Sequence, residues 1–381
     1  MSDKELSKTI YISIGSSIER SITLTVLNEM RLTILDAAET PDDPLEFFNK
    51  EGLVKTGLYI IIVTYNNRWA TLMSVLKQLD IAAPDAVAII VNNGSDLNHQ
   101  PVWANEVSLP LHFIHSETNK GSAWAFGQGV KLAIEEGADI LLLLDDDNFV
   151  EDKSISTLLN AWQELKSRHS GLLGLMSVRK DRTYLKNVAN GSPVDLNFPG
   201  QNEFLGFSLK KLLANLQKKK ALIVGETKDL IAIPCAPYGG FLTSANVIKQ
   251  IGLPDERFFV YADDFEFTYR ITAKGGAIYL ATNSSIKDLT SSWNHASSRT
   301  FLRHKFLYPV NDLTYMSIRN SIYFQRTYLT TNRWVFNVNR YVFTLYLFIL
   351  AIFTFRFQQF GRFQKAVKEG LNGVFNNQQY L

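Results

Sequence analysis

The chain has 381 residues, enough for two domains or for one large domain with appendages. Its hydrophobic fraction of 46% and charged fraction of 20% are ordinary for a globular protein and exclude disorder for most of the chain. A net charge of +2 is too small to indicate a nucleic-acid partner. The single cysteine, Cys235, excludes an internal disulfide framework and reads as a core residue, and the N-terminus lacks an apolar signal segment. We therefore expect a cytoplasmic protein.

Residues 1–56 differ in composition from the rest of the chain. Segments 9–17 and 21–35 are rich in Ile, Thr and Val, as strands tend to be, and segment 39–44 is typical of a turn and linker. So short a segment buries little core by itself. We expect this β-rich arm to pack on the next domain or on a second copy of the chain in a homo-oligomer.

Buried strands alternate with amphipathic helices from residue 57 onward. Apolar runs and stretches with helical spacing follow one another over 58–63, 68–80, 86–91, 111–114, 122–137 and 139–144. This alternation predicts an α/β fold, a mostly parallel sheet with helices on both faces. The glycines of segment 121–129 do not follow the first strand, so they indicate helix packing rather than a dinucleotide fingerprint.

Polar segments follow three of these strands, where ligands of parallel sheets bind. They are Thr64–Arg68, Asn92–Asp96 and Asp145–Asn148. Three adjacent carboxylates after a buried strand repel one another unless a cation is present, and their oxygens suit Mg²⁺ or Mn²⁺. Substrate phosphates usually complete such a metal shell. The alternative is a solvated acidic turn that caps the helix near Ser154.

A second acidic pair, Asp263 and Asp264, lies in the aromatic segment 258–266. Aromatic surroundings raise the pKa of a carboxyl group and favour a proton acceptor. The alternative is an N-cap for a helix over 265–275, with Glu266 in its first turn. Both interpretations can hold at once.

The C-terminal segment 331–381 is predicted to be a helical, partly apolar extension. Tyr341–Phe355 is a run of fifteen residues without a charge, shorter than the ~20 residues needed to span a bilayer. Basic residues flank it on both sides, and segment 334–360 is rich in aromatic residues. The run is either a buried core helix or a segment that lies in the membrane interface near anionic headgroups.

Five segments, in order and with the right spacing, resemble glycosyltransferase family 2 enzymes of the GT-A fold, within them the bacterial galactofuranosyl- and rhamnosyltransferase branch. They are IIIVTYNN, IIVNNGSD, ETNKGSAWAFGQGVKLAIEEGADILLLLDDDN, GGFLTSANVIKQIGLPDERFFVYADDFEFTYRITAKGG and YMSIRNSIYFQRTY. The resemblance covers roughly residues 58–330, so we expect a GT-A domain over 57–330.

The resemblance implies roles for individual residues. Asp145, Asp146 and Asp147 match the motif that holds metal, diphosphate and ribose, and Asp264 matches the general base with Asp263 beside it. Donor-binding positions correspond to Thr64, Tyr65, Asn66, Arg68, Asn92, Asn93 and Lys120. Two positions depart from the family pattern: Asn92 stands where an aspartate that accepts from a pyrimidine is common, and Asp288 stands where a metal-binding histidine is usual. His295 is the alternative metal ligand.

The resemblance thus implies an inverting, metal-dependent glycosyltransferase using Mn²⁺ or Mg²⁺ and a UDP- or dTDP-sugar, with galactofuranose or a rhamnose-like sugar favoured. The acceptor would be a hydroxyl of a cell-surface glycan or of a lipid-linked glycan precursor, at the inner face of the cytoplasmic membrane. One alternative is a sugar nucleotidyltransferase, but TYNNR is not the glycine-rich loop that a triphosphate needs. The other is a non-catalytic glycan-binding protein of the same fold.

Overall fold

The computed structural model of the protein describes residues 10–13, 32–34, 57–97, 106–217, 228–290, 304–308 and 311–377. The linker expected over 39–44, most of the two predicted N-terminal strands, and His295 lie outside these residues. The predicted α/β class is confirmed, since a central sheet carries helices on both faces.

Within the described ranges eleven strands form the sheet. They are β1 (Ile10–Ser13), β2 (Leu32–Ile34), β3 (Leu58–Thr64), β4 (Val87–Asn93), β5 (Leu111–Ser116), β6 (Ile140–Asp145), β7 (Asn148–Val150), β8 (Leu173–Arg179), β9 (Leu230–Ile233), β10 (Phe241–Ser244) and β11 (Ala277–Asp288). The strand order is β2-β1-β5-β4-β3-β6-β10-β8-β11-β7, and β9 pairs with β11.

The α-helices lie between and after these strands. They are α1 (Trp69–Ala82), α2 (Ser122–Glu135), α3 (Ser154–Arg168), α4 (Thr183–Ala189), α5 (Val194–Asn197), α6 (Leu209–Gln217), α7 (Ala245–Ile251), α8 (Asp263–Ala273), α9 (Asp312–Phe324), α10 (Arg333–Thr354) and α11 (Phe357–Asn372). A 3-10 turn at Glu256–Phe258 precedes α8, and a π-helical turn at Gln325–Leu329 follows α9.

Strand directions bring one set of strand ends together. Strands β5, β4, β3 and β6 are parallel, and β10 runs antiparallel between β6 and β8. Because β10 is antiparallel to both of its neighbours, β8 points the same way as β6. Strand β11 is parallel to β8 and therefore shares this direction. The carboxyl ends of β3, β4, β6, β8 and β11 therefore share one edge of the sheet.

Alternate residues of the central strands face two cores. Ile60 and Ile62 of β3 pack in the core that includes α1 and α3, whereas Ile61 packs in the core that includes α2 and α8. A Cβ on Gly129 of α2 would lie 2.4 Å from Ile61 Cγ2, which confirms that this glycine allows close packing of helix on sheet. Cys235 is buried in the second core, as expected.

The described strands of the N-terminal arm extend the sheet. Strand β1 pairs with β5 through Ile12↔Phe113, and β2 pairs with β1. The domain boundaries at 56 and 330 stay predictions.

A third core joins α9, α10 and α11. Helix α10 contributes Phe336, Phe343 and Leu347 to it, while its opposite face is exposed. The helix has 22 residues, seven more than the uncharged run. Among the described residues it is the one helix long and apolar enough to cross a bilayer by length and composition, a test that core helices of soluble proteins also pass. Core helix and exposed apolar face are therefore combined in one element.

Candidate active site

Side chains that the sequence analysis selected meet at the shared carboxyl edge, together with Arg179, which it did not select. Thr64 ends β3, Asn92 and Asn93 end β4, Asp145 ends β6, Arg179 ends β8, and Asp288 ends β11. Register brings them level, since Val63 pairs with Asp145, Thr64 with Asn92, and Asn148 of β7 with Asp288. The edge forms one crevice lined by acids and arginines.

Arg68 neutralises two members of the acidic triad. Its Nη1 lies 2.8 Å from Asp146 Oδ1, and its Nη2 lies 2.6 Å from Asp147 Oδ2. Thr64 Oγ1 donates a hydrogen bond of 2.8 Å to Asp146 Oδ2. Burial raises the pKa of Asp146 to about 7 even though Arg68 and Thr64 oppose the rise. Ionised Asp146, 1% exposed, therefore destabilises the folded state, and its ion pair and hydrogen bond offset this cost only in part.

Arg179 performs the same task on the other side of the crevice. Its buried guanidinium donates to Asp145 Oδ2 over 3.1 Å and to Asp288 Oδ1. Asn148 completes the link, because its Nδ2 donates to Asp288 Oδ1 (3.0 Å) and to Asp147 Oδ1 (3.3 Å). Asp288 is thus joined to Asp145 and Asp147, which lie far from it in sequence, through one arginine and one amide.

Two further charges border this network. Asp181 Oδ2 lies 3.1 Å from Arg182 Nε and 3.6 Å from Arg179 Nη2, and Arg182 Nη2 lies 3.7 Å from Asp288 Oδ2. Five carboxylates therefore face three guanidinium groups, and full ionisation leaves an excess of negative charge. Burial raises the pKa of Asp288 despite the opposing charge of Arg179. A proton is one way to relieve the excess; a bound cation is another.

The donor atoms suit a hard divalent ion, although they are now paired with arginines. Within the described part of the chain, no group of three or more His, Cys, Asp or Glu side chains is arranged to hold a metal ion. The carboxylate oxygens and the negative excess nevertheless fit Mg²⁺ or Mn²⁺. Asp145 is the most accessible, with 38% of its side chain exposed. The ligand set Asp145, Asp147 and Asp288 stays a prediction.

The second acidic pair opens α8 beside the same crevice. The helix begins at Asp263, and Ala262 occupies the N-cap without a side-chain bond, so the N-cap alternative is wrong. Asp263 is buried and accepts a 2.7 Å hydrogen bond from Ser122 Oγ. Asp264 is half-buried, and among the described residues its carboxylate accepts one hydrogen bond, from the Phe265 amide at 2.8 Å. Burial raises the pKa of both carboxyls. The charges of Arg182, Asp145 and Arg179 also act on the pKa of Asp264.

Residues 59–198 match the family model of glycosyl transferase family 2. This segment is a glycosyl transferase family 2 domain. It contains the acidic triad, Arg68 and Arg179, whereas the acidic pair and Asp288 lie beyond it.

Known proteins resemble a larger part of the chain. Galactofuranosyltransferase GlfT1 of Mycobacterium tuberculosis is 25% identical over 206 residues, 52% of this chain and 60% of the relative, so the match spans about three fifths of that protein. The dTDP-rhamnosyl transferase RfbF of Shigella flexneri is 20% identical over 227 residues, 60% of this chain and 67% of the relative. A solved mannosyltransferase of Pyrobaculum calidifontis, in complex with GDP-Man and Mn²⁺, is 13% identical and covers 86% of this chain and 92% of its own, with a TM-score of 0.43.

Two residues predicted to bind the nucleoside also hold loops of the family 2 domain. Asn92 is fully buried: its Oδ1 accepts from Ser95 N (2.8 Å) and its Nδ2 donates to Ser95 O (2.9 Å). Asn93 Oδ1 accepts from the Lys120 amide at 2.8 Å, joining the β4 loop to the loop before α2. Their contact with a base stays a prediction.

Three further predicted donor-binding residues of the family 2 domain are exposed. Tyr65 is 42% exposed and Asn66 is exposed. Lys120 is also exposed, and its Nζ lies 4.6 Å from the Trp124 ring centroid. These side chains are free to meet a ligand, and their roles stay predictions.

The sequence analysis found Arg68 but missed the other two arginines of the crevice, Arg179 and Arg182. Arg179 ends LGLMSVR, an apolar run whose carboxyl end lies at the same edge as the triad. Inspecting the residue after every apolar run, rather than after the first few, would have found it together with Asp181 and Arg182.

Proposed function

We propose that the protein is an inverting, metal-dependent glycosyltransferase that moves a sugar from a UDP or dTDP donor to a hydroxyl of a glycan. The observation that carries this proposal is the meeting of two distinct acidic groups at one crevice of a chain with a family 2 domain. One group, Asp145–Asp147, forms ion pairs with Arg68 and Arg179. The other, Asp263–Asp264, is separate from it and has raised pKa values.

The carboxylates that are paired with arginines, together with those arginines, suit the donor diphosphate and its metal ion. Asp145, Asp147 and Asp288 would hold the divalent ion, which supplies a Lewis acid that neutralises charge on the leaving diphosphate. Arg68 and Arg179 present planar forks of N–H donors, the geometry that pairs with phosphate oxygens. Arg68 is the more accessible, with a side chain 22% exposed against 2% for Arg179. We assign Arg68 to the diphosphate and Arg179 to holding the carboxylates in place.

The acidic pair suits proton transfer. Asp263 is fixed by Ser122 and hidden from solvent, whereas Asp264 is half-buried, so we assign the proton transfer to Asp264. A carboxyl group whose pKa is raised towards neutrality is a stronger base than an ordinary aspartate. Asp264 would take the proton of the acceptor hydroxyl as its oxygen attacks the anomeric carbon opposite the leaving diphosphate. A single displacement of this kind inverts the configuration without a covalent intermediate.

The relatives support a class of sugar. One is named a galactofuranosyltransferase and another a dTDP-rhamnosyl transferase. We propose galactofuranose or a rhamnose-like sugar as the transferred group, and a cell-surface glycan or lipid-linked precursor as the acceptor. Such acceptors are built at the inner face of the cytoplasmic membrane, where we place the protein.

A screen of donor hydrolysis tests the proposal. We expect turnover of UDP-galactofuranose or dTDP-rhamnose with Mn²⁺ or Mg²⁺ and none in EDTA. Asp264→Asn keeps size and one acceptor oxygen but cannot take a proton, so turnover should fall roughly a hundredfold while calorimetric donor affinity changes little. The control is Asp229→Asn, the same change at an exposed residue directly before β9. Full activity in EDTA or in Asp264→Asn contradicts the mechanism. Pyrophosphate release from a nucleoside triphosphate and a sugar phosphate would favour a nucleotidyltransferase instead, and glycan binding without donor turnover a non-catalytic protein.

The exposed face of α10 supports a second proposal, contact with an anionic membrane surface. Trp334, Tyr341 and Phe353 are 74%, 64% and 73% exposed, and Phe355, just beyond the helix, is 84% exposed. Aromatic side chains favour the headgroup region, and the arginines at both ends of the helix complement anionic lipid. We therefore propose that α10 lies along the bilayer surface through this face.

Surface substitutions test the membrane contact better than truncation, because the inner face of α10 belongs to the third core. Phe353→Glu combined with Leu345→Glu should reduce binding to phosphatidylglycerol vesicles roughly tenfold. Each substitution replaces an exposed apolar side chain, which would enter the membrane interface, with a negative charge. The control is Ile81→Glu at the end of α1, where the side chain is 84% exposed. Unchanged vesicle binding in the double variant refutes the proposal. A fall in molar mass without a change in vesicle binding would assign the face to a second copy of the chain.

A further inference from the structure

The segment that leads into the acidic pair has an unusual backbone. Phe259, Tyr261 and Ala262 have φ values of 63°, 69° and 61°, in the left-handed region that residues with a side chain rarely adopt. Asp263 follows directly. Such conformations persist only where the surroundings hold them. The question is what holds this segment, because its last residue sets the direction in which α8 presents Asp264.

One buried amide contacts three carbonyls of this segment. Asn320 of α9 is fully buried, and its Nδ2 lies 2.8 Å from Phe258 O, 2.8 Å from Val260 O and 3.0 Å from Tyr261 O. An amide carries two N–H hydrogens, so one of them is shared between two carbonyls. A single side chain thereby supplies the hydrogen-bond donor for three backbone carbonyls of this turn.

Arg319 fixes the orientation of that amide. Its Nε donates a 2.9 Å hydrogen bond to Asn320 Oδ1. A guanidinium can only donate, so the oxygen of Asn320 must face Arg319 and the NH₂ must face the segment. Arg319 is held in turn by Asn377 Oδ1, at 2.9 Å from its Nη2, and by the Phe375 ring, whose centroid lies 5.0 Å from its Cζ. The chain of contacts runs from the C-terminal tail to the segment.

The start of α2 holds the segment from the opposite side. Phe259 O accepts from Ser122 Oγ at 3.3 Å and from Ala123 N at 3.4 Å. A Cβ on Gly121 would lie 2.2 Å from that oxygen. Ser122 Oγ also donates to Asp263. The segment is therefore clamped between α2 and Asn320, with no room to relax towards α2.

We infer that Asn320 is a positioning residue that holds 258–262 in its left-handed conformation and so aims Asp264 at the acceptor hydroxyl. Arg319 orients Asn320 for this task. Asn320 contacts backbone carbonyls only and acts through the segment. The inference rests on the proposed function for its catalytic meaning, while the clamp itself is a property of the fold.

Asn320→Asp tests the clamp with minimal change of shape. The variant still accepts from Arg319 but has no N–H to offer, and its carboxylate faces three carbonyl oxygens. Asn339→Asp is the matched control, because Asn339 is also buried and its amide also joins two backbone groups: Nδ2 donates to Asn202 O (2.8 Å) and Oδ1 accepts from Leu209 N (2.9 Å). Asn377→Ala, which removes a support of Arg319 and leaves Asn320 intact, serves if Asn320→Asp does not fold.

Hydrogen exchange and kinetics are measured together. In Asn320→Asp we expect the amides of 258–264 to exchange at least roughly tenfold faster and turnover to fall at least tenfold, with the donor KM within about twofold of wild type. The amides of 258–264 and turnover should stay near wild type in Asn339→Asp, and Asn377→Ala should show both effects in smaller size, about threefold.

Three results overturn the inference: unchanged exchange of 258–264, an equal loss of turnover in Asn339→Asp, or a rise in donor KM that accounts for the loss. If the wild type transfers no sugar from any donor, the proposed function fails, and exchange alone decides whether Asn320 holds the segment.

Discussion

The buried carboxylates of the crevice make the stability of the metal-free protein depend on pH. The pKa of Asp146 is raised from the ordinary 3.8 to about 7. Between these two values the folded protein keeps a proton that the unfolded chain has lost, so the unfolded state binds fewer protons and raising the pH favours unfolding. The pKa values of Asp263, Asp264 and Asp288 are raised as well and act in the same direction.

The interval from pH 6.5 to 8 includes the folded-state pKa of Asp146. Burial lowers the pKa of His304 from 6.5 to about 4, so its opposing contribution builds up mostly below about pH 6.5 and levels off above it. Integrating the linkage relation for one group with a pKa of about 7 gives a loss of about 0.8 kcal/mol in the free energy of unfolding from pH 6.5 to 8. That corresponds to a fall of about 2 °C in Tm.

Asp146→Asn separates the charge from the packing. Asparagine still accepts from Thr64, but it cannot ionise, so the variant should lose about 0.8 kcal/mol of the pH dependence. Urea denaturation in EDTA at pH 6.5 and 8 measures it, and Asp229→Asn at an exposed site is the control. A wild-type stability that rises from pH 6.5 to 8, or an unchanged dependence in Asp146→Asn, refutes the reasoning.

Three substitutions test other parts of the site. Asp147→Ala should abolish transfer and metal-dependent donor binding with little loss of stability, because it removes one of several like charges; calorimetry that finds intact donor binding contradicts this. Arg179→Met should cost about 3–5 kcal/mol in urea denaturation, because it removes the nearest cation from the buried side chain of Asp288, and a stable variant would refute the pairing. Gly121→Ala should lower turnover more than roughly tenfold, because its Cβ meets the Phe259 carbonyl. Gly137→Ala has a similar positive φ with no neighbour within 4 Å and should leave turnover unchanged; equal effects would exclude the clash as the cause.

Strands buried on both faces were predictable because their apolar runs are continuous. The expected strands at 58–63, 86–91, 111–114 and 139–144 correspond to β3, β4, β5 and β6 within a few residues. The edge at which ligands bind follows from their parallel order, so the triad and the loop of Thr64 were found without a structure.

Contacts between distant strands were not predictable in the same way. Arg179 reaches Asp145 across β10, a strand of four residues that runs antiparallel between β6 and β8. Apolar periodicity shows that a strand exists, whereas its neighbours in the sheet are decided by packing of the whole domain. The pairing of each carboxylate with an arginine therefore appeared only in the structure.

Helix α10 shows why a charge-free run underestimates a helix. Arg333 and Arg340 are the basic residues that precede the charge-free run. The helix nevertheless starts at Arg333, where the Asn332 side chain accepts from the amides of Trp334 (3.0 Å) and Val335 (3.1 Å). Arginine has good helix propensity and extends its head to solvent from an apolar stem. The cap, rather than the charge, marks the beginning of the helix.

The pairing of carboxylates with arginines predicts that metal and donor bind together. Alone, a divalent ion must compete with Arg68 and Arg179 for the oxygens of Asp145 and Asp147, and alone, a diphosphate meets the negative excess of the crevice. When both are present, Asp145 and Asp147 can bind the cation while Arg68 pairs with phosphate, so the metal ion replaces the guanidinium as the partner of Asp147. We expect Mn²⁺ to raise UDP affinity at least roughly tenfold, a coupling of about 1.4 kcal/mol, and UDP to raise Mn²⁺ affinity by the same factor. Arg68→Met should weaken UDP binding in Mn²⁺ yet strengthen binding of Mn²⁺ alone, because a competing cation is gone. Calorimetry in both orders of addition measures each term, and equal Mn²⁺ affinities with and without UDP would show that Arg68 and the metal do not share these carboxylates.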